Sequence, residues 1–214
     1  MAQIYNYDDL AIRIYSLGEL NNIKPCEYYR VVYVSLEYCR LKNIPNKIYN
    51  FINLEALNLN FNKLKFIDQD ITKLTKLEEL YLQCNNFKSI PESIFKLINL
   101  KLLNIFSNQV SSIPDDIQNM THLKNLYIGN NKITYIPENI KNIKNIYIAP
   151  CSYDLNNLSN KCEYLQFDDL DAILKNLPPL LKELRLYNPA INITNTNTKI
   201  PFGCKLYINN ILKK

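Results

Sequence analysis

The chain has 214 residues, 47% of them hydrophobic, and a formal net charge of +5. That apolar share supports a folded core and excludes general disorder. Four scattered arginines, Arg13, Arg30, Arg40 and Arg185, do not form the clustered cationic footprint by which phosphates are gripped, so no nucleic-acid partner is expected.

Residues 1–10 are polar and tyrosine-rich, with no apolar stretch of signal-peptide length. Nowhere do roughly 18 apolar residues run together, so no membrane span is expected. The cytoplasm, the protein's own or a host's, is the default compartment. From Val31 a 23-residue beat sets in, with copies starting at Val31, Leu54, Leu77, Leu100 and Leu123. The third copy places Leu77, Leu80, Leu82, Phe87, Ile90, Ile94 and Leu97 around Asn85 and Pro91. The fourth answers with Leu100, Leu103, Ile105, Val110, Ile113, Ile117 and Met120 around Asn108 and Pro114. A core of unlike elements requires no such beat, whereas a stack of like coils does.

At these residues the sequence resembles the leucine-rich repeat family, whose signature is L-x-x-L-x-L-x-x-N-x-L. The continuation I-P-x-x-I-x-x-L is closer to the 23-residue intracellular class, as in Shoc2-like scaffolds and plant Ras-group proteins. The resemblance implies an α/β fold: a leucine-rich repeat solenoid with a curved parallel sheet on its concave face. It also implies binding rather than catalysis.

Within each copy the L-x-L core reads as a short strand that sends both anchors inward and the residue between them outward. The anchor pairs are Val34/Leu36, Leu57/Leu59, Leu80/Leu82, Leu103/Ile105 and Leu126/Ile128. They continue at shorter steps as Ile146/Ile148, Leu165/Phe167, Leu184/Leu186 and Leu206/Ile208, which predicts nine strands. The Ile-Pro return path suits extended or short 3₁₀ backbone, so the convex side is expected to be irregular. Residues 1–30 break the beat and are read as an N-terminal cap. Residues 31–187 are the repeats, and 188–214 are a C-terminal loop and cap holding the last strand. Within the last part, Asn188–Lys199 reads as a surface loop.

Asn62, Asn85, Asn108 and Asn131 form one column. Where the chain turns off each strand, buried backbone groups lose ladder partners, and an amide can both donate and accept there. A structural role is therefore assigned. Asn58, between two anchors, is expected to face solvent and to contribute little to stability. Cys39 and Cys151 take the asparagine offset, Cys84 precedes Asn85, and no close cysteine pair suggests zinc. Free, mostly buried thiols are expected.

His122, the only histidine, has no cysteine or serine at a matching place one coil away. Asp168, Asp169 and Asp171 lack the glycine and terminal glutamate of an EF-hand loop and read as a solvated rim. Gly18, Gly129 and Gly203 make no phosphate loop. No catalytic residue, metal site or cofactor is expected.

The column between anchors runs Ser35, Asn58, Tyr81, Asn104, Tyr127, Tyr147, Gln166, Arg185 and Tyr207. The next outward column is Glu37, Asn60, Gln83, Phe106, Gly129, Ala149, Asp168, Tyr187 and Asn209. Tyr81, Phe106, Tyr127 and Tyr147 thus gather near mid-arc. Aromatics favour strands for their own sake, yet outward aromatics on a concave sheet are also the composition of a binding hot spot. Lys101, Lys124 and Lys144 stack beside them, while Glu37, Glu55, Glu78 and Glu79 gather nearer the N-terminal end. These aromatics and lysines are the candidate partner-binding residues.

The reading is a monomeric, non-enzymatic module that binds a protein partner through its concave face. The alternative is a substrate-recognition or scaffold subunit of an enzyme complex, such as a ubiquitin ligase or a phosphatase.

Overall fold

Alternation along each short strand fixes the architecture, and eleven strands lie side by side in chain order. The computed structural model describes residues 11–134, 137, 140, 143–147, 162–167, 177–186 and 200–213. The strands are β1 (Ile12–Ile14), β2 (Val31–Ser35), β3 (Ala56–Asn58), β4 (Glu79–Tyr81), β5 (Leu102–Asn104), β6 (Asn125–Tyr127), β7 (Asn145–Tyr147), β8 (Tyr164–Phe167), β9 (Glu183–Leu186), β10 (Lys205–Ile208) and β11 (Ile211–Leu212). Each pairs in parallel with its neighbour except β11, which folds back antiparallel on β10.

The nine expected strands are β2 to β10, and two more extend the sheet at its ends. β1 lies within residues 1–30 and pairs with β2 across an irregularity between Ile12 and Arg13. The helix α1 (Leu17–Asn22) follows it, started by Ser16, whose hydroxyl accepts the Glu19 N–H at 3.1 Å. β11 arises from a two-residue turn at Asn209–Asn210, both at positive φ (49° and 65°). An Asn-Asn pair between Ile208 and Ile211 is a hairpin signal that the repeat period hides.

Inward anchors make the core. Val34, Leu36, Leu57, Leu59, Leu80, Leu82 and Leu103 are all fully buried. The return paths are 3₁₀ segments at Asn46–Asn50, Gln69–Lys73, Glu92–Lys96 and Asp115–Asn119. Each places one isoleucine (Ile48, Ile71, Ile94, Ile117) in the core. Pro45, Pro91 and Pro114 precede three of them, where a fixed φ and a missing N–H cost nothing. In the second copy Asp68 stands there instead and accepts the Asp70 N–H at 3.1 Å.

The asparagine column is the seam between coils. Asn85 Oδ1 accepts the Leu64 N–H of the preceding coil at 3.0 Å. Its Nδ2 donates to Leu59 O of that coil at 2.9 Å and to Leu82 O of its own at 3.1 Å. Asn62, Asn108 and Asn131 repeat the pattern at Leu41, Phe87 and Val110. Cys39, at the same offset in the first copy, keeps one contact, its thiol donating to Glu37 O at 3.5 Å.

The turn into this seam demands left-handed backbone from residues that resist it. Tyr38, Phe61, Cys84, Ser107 and Asn130 each precede the seam residue and hold φ between 51° and 58°. For a side chain other than Gly, Asn or Asp that conformation costs about 1–2 kcal/mol. Only Asn130 suits it.

Among the described residues five cysteines are free thiols, and the expectation that most are buried needs correction. Cys162 and Cys204 are buried, Cys39 and Cys84 are partly covered, and Cys26 is exposed. The buried two occupy the first anchor position, where other coils place Leu123, Ile143 and Leu181, so cysteine serves as a small hydrophobe. Burial pushes the Cys162 thiol up to about 12. Cys151, Asp168, Asp169, Asp171 and the expected loop Asn188–Lys199 lie outside the described residues.

Two outcomes follow. Asn85→Ala or Asn108→Ala strands several backbone groups at once and should cost about 1–3 kcal/mol or more by chemical denaturation. Tyr49 is buried on its 3₁₀ segment, and desolvation, helped by the charges of Asp68 and Asp70, pushes its phenol up to about 12. Its folded pKa lies above the unfolded one, so its contribution is intact below about pH 10 and lost as pH rises toward 12. Denaturation midpoints above pH 10 should fall less steeply for Tyr49→Phe than for the wild type.

Candidate functional site

Strand register, carried by parallel pairing, brings side chains from successive coils into columns about 4.8 Å apart. Pairing aligns Ser35, Asn58, Tyr81, Asn104, Tyr127, Tyr147, Gln166, Arg185 and Tyr207 as one column across β2 to β10. Three of the four candidate aromatics touch. Phe106 and Tyr147 have ring centroids 5.4 Å apart, and Tyr127 and Tyr147 are 5.9 Å apart, both pairs tilted. Tyr81 stands aside, its hydroxyl donating to Glu79 Oε2 at 2.8 Å. Burial and the Glu79 carboxylate raise the Tyr81 pKa well above the usual phenol range.

The candidate lysines share one column, shown by the backbone chain Lys101 N–H to Glu78 O, Lys124 N–H to Lys101 O and Lys144 N–H to Lys124 O (2.7, 2.9 and 3.0 Å). Their side chains diverge in partners. Lys101 pairs with Glu78 at 2.6 Å, and Lys144 shares Glu163 with Lys182 at 3.6 and 3.0 Å. The Lys182 hydrogen bond and the two ammonium charges hold the Glu163 carboxyl below its usual range.

Two expectations about this face change. Asn58 is half-buried rather than solvent-facing, and its Oδ1 accepts the Asn60 N–H at 3.0 Å. In the second outward column Asn60 and Gly129 are buried. The cause is the seam. Because Asn62 Nδ2 takes Leu36 O, the N–H of Asn60 leaves the sheet ladder and turns to a side chain. Gln83 N–H finds Asn60 Oδ1 at 2.8 Å, and Phe106 N–H finds Asn104 Oδ1 at 3.0 Å. Asn58, Asn60 and Asn104 therefore form a second, shallower asparagine set under the concave surface.

A third outward column was not read from the sequence. Tyr33, Ala56, Glu79, Leu102, Asn125, Asn145, Tyr164 and Glu183 align by register, one alternation step before each first inward anchor. Extending the two-residue period one step upstream would have found it. Two depressions open along it. One of about 240 Å³ is lined by Tyr127, Asn145, Tyr147, Tyr164, Gln166 and Glu183 among others. Arg185 closes its far side, paired with Glu183 and lying 4.9 Å over the Tyr207 ring. The second, of about 250 Å³, has Ala56 between Tyr33 and Glu79, with Glu55, Glu78 and Arg13 at its rim.

Where the chain enters β6, His122 Nδ1 lies 3.0 Å from Ile98 O, a bond that requires the proton on Nδ1. Asn53 and Asn99 make the equivalent bonds to Tyr29 O and Thr75 O (2.6 and 2.8 Å). The histidine thus stands in for an asparagine in a ladder of such bonds. Among the described residues no group of His, Cys, Asp and Glu is placed to hold a metal ion, and no helix is long and apolar enough to cross a membrane.

Asn58→Ala removes the acceptor of the Asn60 N–H and should cost about 1 kcal/mol, short of the loss at Asn85. Equal midpoints for Asn58→Ala and wild type in urea would contradict this bond.

The leucine-rich repeat family matches residues 75–133, and its two-copy form matches 52–97. Among solved structures, internalin C2 of Listeria monocytogenes superposes with a TM-score of 0.65 and 22% identity, over 87% of this chain and 84% of that one. An internalin (inlF) of the same organism gives 0.55 and 22%, over 72% of this chain but 44% of its own. The functional domain of InlJ, also from L. monocytogenes, gives 0.58 and 15%, over 88% and 51%. At such identities the likeness concerns the fold alone. Comparison with curated protein sequences gives no match. Repeat period, coil-to-coil register, asparagine seam and the family matches together give leucine-rich repeats over residues 52–133, within a solenoid with a curved, mostly parallel sheet.

Proposed function

We propose that this protein is a non-enzymatic interaction module whose concave sheet face holds a protein partner. The observation that carries this reading is the Phe106–Tyr127–Tyr147 cluster, three aromatic rings from three successive coils meeting on the outward side of the sheet. Aromatic side chains on a rigid scaffold lose little entropy on binding and dominate interface energetics. The scaffold is rigid here because β3 to β6 are locked to their neighbours and to the asparagine seam. Lys101, Lys124, Lys144 and Tyr81 border the cluster and would contribute orientation more than affinity.

The 23-residue coil with its Ile-Pro return supports placing the protein beside the intracellular Shoc2-like and plant Ras-group class. The five free thiols support a reducing compartment such as the cytoplasm.

Tyr127→Ala should leave the circular dichroism spectrum and the urea midpoint nearly unchanged, because the ring lies outside the core. Truncation of a hot-spot tyrosine costs about 2 kcal/mol, so partner affinity should fall roughly thirtyfold. Capture from the native cell with wild type and with Tyr127→Ala, followed by affinity measurement on the captured partner, checks this. A folded variant that binds as wild type moves the site away from the concave face.

A further inference from the structure

The concave face is electrically divided, and the division suggests what lies on it. In the N-terminal coils Glu55, Glu78 and Glu79 line one depression together with Arg13. Lys101 pairs with Glu78, while Arg13 lies 5.7 Å over the Tyr33 ring. Among the described residues Glu37, Glu55 and Glu79 enter no ion pair. Glu37 receives only a long 3.4 Å contact from Asn58, and Glu79 receives the Tyr81 hydroxyl. Around Ala56, the smallest side chain of its column, Glu55 and Glu79 border a depression beside the Tyr33 ring. The Arg13 guanidinium over Tyr33 shows that a flat cation fits this ground. Two to three coils further on lies the aromatic cluster, whose contacts are apolar.

Resting on the concave-face reading, we propose that the partner presents an extended segment bearing a lysine or arginine and a large apolar side chain three or four residues apart. The cation lies over Glu55 and Glu79, and the apolar group lies on Phe106, Tyr127 and Tyr147. The spacing comes from the sheet. β4 and β6 are two coils apart, roughly 10 Å, and β4 and β7 are roughly 14 Å apart. A polyproline-type chain rises about 9 Å over three residues and returns to the same face. A β-extended chain rises about 13 Å over four residues and does likewise. Either geometry fits the two grounds with one straight segment laid across the strands. Carboxylates that enter no ion pair among the described residues favour a cationic partner and repel an acidic one.

The test is selection of random linear heptapeptides displayed on phage against the full chain, followed by affinity measurement on the enriched peptides. Wild type should enrich Lys or Arg three or four residues from Phe, Tyr, Trp or Leu. Replacing Glu55 and Glu79 by Gln keeps the shape and removes the charge, and should weaken these peptides roughly tenfold while removing most of their salt dependence. Tyr127→Ala should weaken them further, with folding checked by circular dichroism for both variants. Peptides that depend on Tyr127 yet lack a basic residue and ignore the glutamine variant would overturn this inference and leave the concave-face reading standing. Peptides indifferent to both variants would overturn both. Enrichment of no peptide would overturn the claim that one extended segment suffices.

Discussion

The constraint on which this structure depends is the backbone accounting at the point where each coil leaves the sheet. A strand three residues long cannot end without exposing N–H and C=O groups, and a stack of coils buries many such ends. One amide side chain per coil resolves the problem by reaching backward to the previous coil and down to its own. Asn85 meets Leu64 N–H, Leu59 O and Leu82 O with a single side chain. Everything else follows from that device. The sheet ladder is interrupted two residues earlier, the freed N–H groups recruit Asn58, Asn60 and Asn104, and the chain must pass through left-handed backbone just before the seam.

The same device explains how the interior and the outward face can vary independently. The hydrophobic anchors are set by the inward half of the alternation, and the seam by one offset. The outward residues carry neither burden except where an asparagine lends its oxygen to the backbone. Tyr127 and Tyr147 stand in the column where Asn58 and Asn104 stand in other coils. Tyr127 and Tyr147 thus occupy coils whose middle residue is released from backbone duty, while Phe106 projects from a coil whose Asn104 still performs it. Position in the stack sets how far an outward residue is free to serve a ligand.

Much of this was legible in the sequence because one period determined it. The anchors, the asparagine column and the 3₁₀ returns of the regular copies lie at fixed offsets, and the nine expected strands stand where the inward anchors placed them. What the period could not reach was anything that happens once. β1 precedes the beat, and β11 depends on a local Asn-Asn turn. Cys162 and Cys204 occupy anchor positions but are not leucines, so they read as spare thiols rather than as core. The partial burial of Asn58 follows from a hydrogen bond to its own neighbour two residues on, which alternation alone places outside. On the outward face Tyr127 meets Tyr147 within one column, and Phe106 reaches Tyr147 diagonally from the next column. The tie of Tyr81 to Glu79 required knowing that the third column exists.

The shortening of the coil late in the chain carries a consequence for how such a protein changes over generations. Leu126, Ile146, Leu165, Leu184 and Leu206 remain in perfect Cα register although the steps between them shrink from the earlier 23 residues to 20, 19, 19 and 22. The number of residues between anchors thus varies along the chain while the strand register holds. The inner grid keeps its pitch, so a ligand matched to that pitch would survive insertions and deletions between strands that a globular pocket would not.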